Sequence, residues 1–346
     1  MKPMLLSFDD VLITPRYSKV KSRNDVDINV KIANSVYTLP IIASNMDTIT
    51  NATMANAMEK NGAAACLHRF WTIEENVNAF KDASMAWVSV GIGEKEFERA
   101  KALYEVGARI FIIDVAHGAN ENVANYYSNL KNTFSDIFLV VGNFANYDSY
   151  HFFEKAVKDF SGHFIDGVKL GIGSGAACST QVVTGCGMPL LETLLDFKYN
   201  GYEKLIIADG GMKTSGDIAK AIAAGAHLCM LGNMLAGTEE SAGKEIKMFV
   251  PKGTDIQELY KEYRGSASKE SYIMQNKNQT YISPEGERFL VPYKGSVDNV
   301  LQQIAGGLRS SLSYVGASNI KEFQENATFE HISRAAHIEG TPHGKK

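Results

Sequence analysis

The chain has 346 residues with 35 basic and 39 acidic side chains and a net charge of −4, a balance that excludes a general binder of nucleic acid or of a membrane surface. Its four cysteines, Cys66, Cys178, Cys186 and Cys229, show no C-x-x-C spacing, which argues for free thiols in a reducing cytoplasm and against a zinc site. The opening MKPMLLSFDDVLITP carries acids where a signal peptide needs an apolar core, and no apolar run approaches the ~18 residues of a membrane span.

In chain order, short apolar runs rich in β-branched residues alternate with segments of helical period, the pattern of repeated βα units around a parallel sheet. Strands are predicted at Leu39 to Ala43, Ala63 to Leu67, Ala86 to Val90, Ile110 to Asp114, Ile137 to Val141, Gly167 to Leu170, Leu205 to Ala208 and Leu228 to Leu231. Eight such units fit a closed (β/α)₈ TIM barrel, one domain over residues 1–346. An open doubly wound sheet would place its dinucleotide fingerprint after the first strand, and none follows Ala43. After the eighth strand the rhythm breaks. Thr238 to Tyr281 is long and polar, and it reads as a mobile flap over the barrel mouth, within an insertion of residues 238–283, or else as a plain surface insertion. The tail beyond Phe329 reads as frayed.

In this fold ligands sit at the C-terminal ends of the strands, and the polar and glycine residues of the chain gather there. Ser44 to Asp47 follow the first strand. Asp114, His117 and Gly118 end the fourth, Gly142 and Asn143 the fifth, Asp209-Gly210-Gly211 the seventh and Gly232-Asn233 the eighth. Loops seven and eight offer backbone N–H groups for a phosphate, and Asp209 can accept from a ribose diol. The sixth strand leads into GIGSGAACST, where Gly171, Gly173 and Gly175 surround Cys178, with Ser179 and Thr180 beside it. That loop reads as the seat of a nucleophilic or ligand-contacting thiol, or as a Gly-rich turn that contains a cysteine. Cys66, Cys186 and Cys229 read as structural.

LSFDDVLITPRYS, SNMDT at Ser44, IDVAHG at Ile113, the cysteine loop, IADGG at Ile207, MLGNMLAGTEES at Met230, EYRGSAS at Glu262 and PEGERFLVPYKGSV at Pro284 resemble the IMP dehydrogenase/GMP reductase family in order and spacing, from about Leu6 to Phe323. The resemblance implies a barrel that holds a purine nucleotide by its phosphate and attacks C2 of the base with Cys178. It also implies a nicotinamide cofactor, a homotetramer, and in the dehydrogenase branch a potassium ion on the carbonyls of Gly171, Gly173 and Cys178.

Members of the dehydrogenase branch usually carry regulatory domains between the second and third units, and here Trp71 leads within one short helix to Trp87. Their flap also carries an Arg-Tyr pair, whereas this chain has Tyr272 and Tyr281 between Ser268 and Pro284 but no arginine. Leu67-His68-Arg69-Phe70 and Tyr260 to Tyr263 are similar to one reductase subgroup. In reductases a threonine and a flap glutamate release the 2-amino group as ammonia, and Thr180 and Glu285 stand at those positions. The expectation is therefore an NADPH-dependent GMP reductase with Cys178, Thr180 and Glu285 as catalytic residues. Substrate contacts fall to Ser44, Asp209, Gly210, Gly211, Gly232, Asn233, Tyr263, Ser266 and Ala267, and cofactor contacts to Asp114, His117, Gly118, Asn143 and Gly171. Arg264 and the PEG…VPYKG run look like the dehydrogenase branch, and Ala176 and Asn233 replace residues that often hold the phosphate. Two further readings stay open: an IMP dehydrogenase without regulatory domains, and a nucleotide-binding homologue with weak turnover.

Overall fold

The structure, a computed structural model, describes residues 4–83, 85–249, 257–274 and 283–342. Eight parallel strands close into a barrel in sequence order: β1 (Ile41–Ala43), β2 (Ala64–Leu67), β3 (Trp87–Val90), β4 (Ile110–Asp114), β5 (Phe138–Phe144), β6 (Gly167–Leu170), β7 (Leu205–Asp209) and β8 (Leu228–Leu231). β8 pairs with β1, Leu231 opposite Ala43, which closes the ring. Residues such as Ile41, Val88, Phe111, Val140 and Ile207 are fully buried, because each strand lies between the barrel interior and a covering helix. That double burial is why these strands read as continuous apolar runs rather than as alternating ones.

The helices that cover the barrel start where the sequence supplies acceptors. Asn51, Thr72, Asn120, Asn146, Thr214 and Ser296 each accept a hydrogen bond from a first-turn backbone N–H, satisfying donors that the helix itself leaves unpaired. The predicted strands all appear, with two informative differences at the ends. β1 begins at Ile41, since Pro40 has no N–H to give to the ladder. β5 runs on to Phe144 rather than stopping at Val141, so Asn143 is held within a strand.

The excursion after β8 carries regular structure where it is described, and two expectations, on the tail and on Cys186, are corrected. Glu245–Phe249, Gln257–Arg264 and Arg288–Pro292 form an antiparallel sheet with the middle segment at its centre, followed within the flap by the helix Lys269–Met274. Polar composition hid this, because Lys261 is buried and its ammonium donates to the carbonyls of Thr238, Glu239 and Ser241 at 3.1, 2.9 and 2.6 Å. Residues 250–256 and 275–282, Tyr281 among them, lie outside the described residues. The tail is likewise ordered up to residue 342. Phe329–His331 pairs antiparallel with Val11–Ile13, and Ser333 caps a helix over Arg334–Glu339. Finally, Cys66 and Cys229 are buried as read, but Cys186 is exposed and has no core role. Among the described residues no helix is long and apolar enough to cross a membrane.

Candidate active site

At the C-terminal ends of the strands the structure leaves a cavity of ≈ 390 Å³, within the size range of small-ligand sites. The cysteine loop forms one wall. Gly171 opens it at φ +129°, and a Cβ there would lie 2.3 Å from the Asp209 carbonyl oxygen, so only glycine fits against β7. The loop then turns tightly, Cys178 N–H donating to Gly175 O at 3.0 Å, and leaves the Cys178 side chain exposed to the cavity.

Two flap segments are stitched to this loop by main-chain hydrogen bonds. Ser179 N–H donates to Glu285 O at 2.8 Å and Glu287 N–H to Ala177 O at 2.9 Å, while Glu285 N–H donates to Ala267 O at 3.1 Å and Gly265 N–H to Glu287 O at 3.0 Å. This lattice sets three side chains in line: Cys178 Sγ donates to Thr180 Oγ1 at 3.2 Å, and Thr180 Oγ1 donates to Glu285 Oε2 at 2.7 Å. Such a line, from a thiol through a hydroxyl to a carboxylate, is an arrangement along which a proton can move. It joins residues 105 positions apart in sequence.

The cavity floor is ionic, and its central residue was not singled out from sequence. Lys169 projects from β6 with 2% exposure; its ammonium pairs with Asp114 Oδ1 at 2.8 Å and with Asp209 Oδ2. Asn45 Nδ2 donates to the other Asp114 oxygen at 2.9 Å, and Asn143 Nδ2 donates to Asp209 Oδ2 at 3.0 Å and to Gly171 O at 2.7 Å. Burial by itself would raise the Asp114 pKa, but the charge and hydrogen bond of Lys169, with Arg69 and Asn45 adding to them, hold it below the usual carboxylate range. Burial opposes the Lys169 charge as well, and the two aspartates overcome it and raise its pKa. The available signal was a lysine between Val168 and Leu170 in an apolar strand, since a buried cation requires carboxylates nearby.

Gly210, Gly211, Gly232 and Asn233 line the same cavity together with Tyr263, Ser266 and Ala267. Tyr263 covers Gly232 so closely that a Cβ there would lie 3.1 Å from the phenol oxygen. Burial pushes the Tyr263 phenol pKa up, which keeps it a neutral donor. Lys294 holds the Asn233 loop from behind, its ammonium 3.0 Å from Asn233 O. Ala176 lines the cavity and supplies no hydroxyl. The flap strand that carries Tyr263 is anchored by Arg264, which pairs with Asp47 after β1 and with Glu262 at 2.8 Å.

Of the residues assigned to a cofactor, Asp114, Asn143 and Gly171 line the cavity and His117 and Gly118 do not. His117 is exposed, and Gly118 is buried where a Cβ would meet Phe144 at 3.1 Å, so its sequence signal was one of packing. Ser44 lines the cavity beside Asn45. Of the three carbonyls assigned to potassium, that of Gly171 already accepts from Asn143. Among the described residues no cluster of three or more His, Cys, Asp or Glu is placed to hold a metal ion.

Fold and site together define a (β/α)₈ barrel with a thiol on its rim, facing a small-ligand cavity of ≈ 390 Å³. The chain belongs to the IMP dehydrogenase/GMP reductase family, whose domain model matches residues 5–343, a family of oxidoreductases that use a nicotinamide cofactor. It is 34% identical to a GMP reductase of Vibrio campbellii over 339 residues, covering 94% of each chain. It is 31% identical to an inosine-5'-monophosphate dehydrogenase of Cryptosporidium parvum, over 96% of this chain and 94% of that one. An inosine-5'-monophosphate dehydrogenase of Nitrosopumilus maritimus is 29% identical with 98% of both chains covered. That last alignment runs over 480 positions against 346 residues here, so that relative has a long stretch without counterpart in this chain.

Proposed function

We propose that this protein is an NADPH-dependent GMP reductase that converts GMP to IMP and ammonia through a covalent bond between Cys178 and purine C2. The observation that carries this reading is the hydrogen-bonded line Cys178–Thr180–Glu285, at 3.2 and 2.7 Å. The chemistry needs a nucleophile and, for the departing amine, a proton. The line supplies both: the thiol proton passes through Thr180 to Glu285 as sulfur bonds to C2, and returns by the same path to the amino group as the C2–N bond breaks. Atoms balance, a thiol and an aminopurine giving a thioether and ammonia.

Asp209 orients the ribose, and the amides of loops seven and eight, with Tyr263 and the side chain of Asn233, take the phosphate. Asp114, Asn143 and Gly171 form the end of the cavity available to the nicotinamide, where a carboxylate already held by Lys169 and Asn45 suits an uncharged amide. NADPH, when bound, supplies the hydride that replaces sulfur at C2. Lys169 keeps the Asp114 carboxylate charged and pairs with Asp209 beside it. A homotetramer and a cytoplasmic location belong to the same reading. The test follows nicotinamide absorbance with GMP plus NADPH and then with IMP plus NAD. Loss of reduced cofactor in the first mixture alone is expected. Formation of it in the second alone would make the protein an IMP dehydrogenase without regulatory domains, and silence in both with nucleotide still bound would leave a binding homologue.

A further inference from the structure

Among the described residues three cations line the cavity, and two of them already have carboxylate partners. Lys169 pairs with Asp114 and Asp209, and the Lys213 ammonium lies 3.4 Å from Asp9. Arg69, which follows β2, is the exception. Its guanidinium makes no hydrogen bond and no ion pair among the described residues, and its Nε is buried without a partner.

Packing rather than charge fixes this side chain. His68 before it is buried, and His68 Nδ1 accepts from Phe70 N–H at 3.2 Å, which turns the chain at the end of β2. The guanidinium carbon of Arg69 lies 5.4 Å from the centre of the Phe70 ring, within cation–π range. The same group rests against Gly91, just after β3, where a Cβ would lie 3.0 Å from Nη1 and 3.1 Å from Cζ. Carboxylates of the same region are committed elsewhere. Asp114 gives its oxygens to Lys169 and Asn45, and Glu96 gives one to Arg99 at 3.2 Å and the other to Gly91 N–H at 2.7 Å. A charge held partly out of water ordinarily has a counter-charge, and the planar fork of a guanidinium suits the paired oxygens of a phosphate.

The position of Arg69 selects the anion. In the reading above the nucleotide's own phosphate goes to loops seven and eight, whereas Arg69 stands close enough to Asp114 for its charge to act on that carboxylate. That is the end available to the nicotinamide, and a dinucleotide carries its diphosphate one ribose beyond the ring. We infer that Arg69 binds the diphosphate of the nicotinamide dinucleotide. This rests on the placement of the nicotinamide beside Asp114 in that reading.

The test measures affinity by calorimetry on the full-length protein, with GMP bound and the dinucleotide oxidised so that no hydride can move. Arg69→Met keeps the apolar stem and removes the charge. It is expected to weaken NADP⁺ or NAD⁺, whichever the unaltered protein binds, by at least ~10-fold, the size of a lost charge-assisted hydrogen bond, while GMP affinity stays within about twofold. ADP-ribose, which keeps the diphosphate and lacks the nicotinamide, should weaken by the same factor. Dinucleotide affinity within about twofold of the original, an equal loss for GMP, or an unchanged affinity for ADP-ribose overturns the inference. None of these measurements needs turnover, so absence of NADPH consumption with GMP ends the reductase reading alone. Failure of the unaltered protein to bind either dinucleotide ends both.

Discussion

Cys178 and Lys169 show how differently two reactive side chains announce themselves. The thiol sits in a loop whose glycines make it visible, whereas the ammonium is hidden in a strand and matters because two carboxylates depend on it. Replacing Cys178 by Ala is expected to lower turnover by at least ~10³-fold while nucleotide affinity stays within about tenfold, as steady-state kinetics and calorimetry would show, because ribose and phosphate contacts survive. Retention of normal turnover would rule out the covalent route. Replacing Lys169 by Met leaves two carboxylates facing each other without a cation and should cost about 3–5 kcal/mol of stability in urea denaturation, as when one partner of a buried ion pair is removed. Adding Asp114→Asn should recover part of that loss.

His68 gives a pH signature. It is buried, its Nδ1 accepts from Phe70 N–H at 3.2 Å and its Nε2 has no partner among the described residues. Burial first, then the charges of Arg99 and Arg264, lower its pKa from 6.5 to about 3. The unfolded chain therefore binds the proton first as pH falls. The contribution to stability is complete above the unfolded value of ~6.5 and is lost progressively below it, until about pH 3, at up to ~1.4 kcal/mol per pH unit. Denaturation midpoints measured between pH 7 and pH 5 should drop more steeply for the unaltered protein than for His68→Gln, and equal slopes would remove His68 from the account.

Among elements, the flap decides whether the site exists. Apart from the Thr180–Glu285 side-chain bond, its segments at 265–268 and 285–287 meet the cysteine loop through backbone hydrogen bonds, so the small size of Gly265 is a steric requirement. A Cβ on Gly265 would lie 2.6 Å from Ala177 O, and one on Gly142 would lie 2.6 Å from both Cβ and O of Lys169. The two alanine variants should separate. Gly265→Ala spreads the flap from the loop, and turnover should fall by ~10-fold or more with stability changed by less than about 1 kcal/mol, the distinction between a displaced site and a damaged core. Gly142→Ala overpacks a barrel strand and should cost about 1–3 kcal/mol in urea denaturation.

At the scale of the whole molecule, the chain ends meet on the outside of the barrel. Phe329–His331 lies along Val11–Ile13, covering Val11, which is fully buried. Removing residues 329–346 should lower stability by about 2–4 kcal/mol through lost apolar burial and strand pairing. The KM for nucleotide should hold within about twofold, since none of the described residues among them, 329–342, lines the cavity. A change in KM without a change in stability would contradict this separation.

The barrel was legible in the residues because each strand is buried on two faces and each helix on one, which writes local runs and caps into the sequence. The thiol, the strand-end aspartates and the glycines of loops seven and eight were legible for a related reason: a (β/α)₈ barrel collects its functional groups at one kind of position. Contacts between distant segments were not. The Lys169 pairs and the tail strand each join residues far apart in sequence, the Thr180–Glu285 pair was implied only by the family resemblance, and no local pattern records which partner a side chain or strand edge will find. Only the closed ring, by bringing β4, β6 and β7 to one rim and folding the flap back over it, decided those pairings and with them the chemistry of the site.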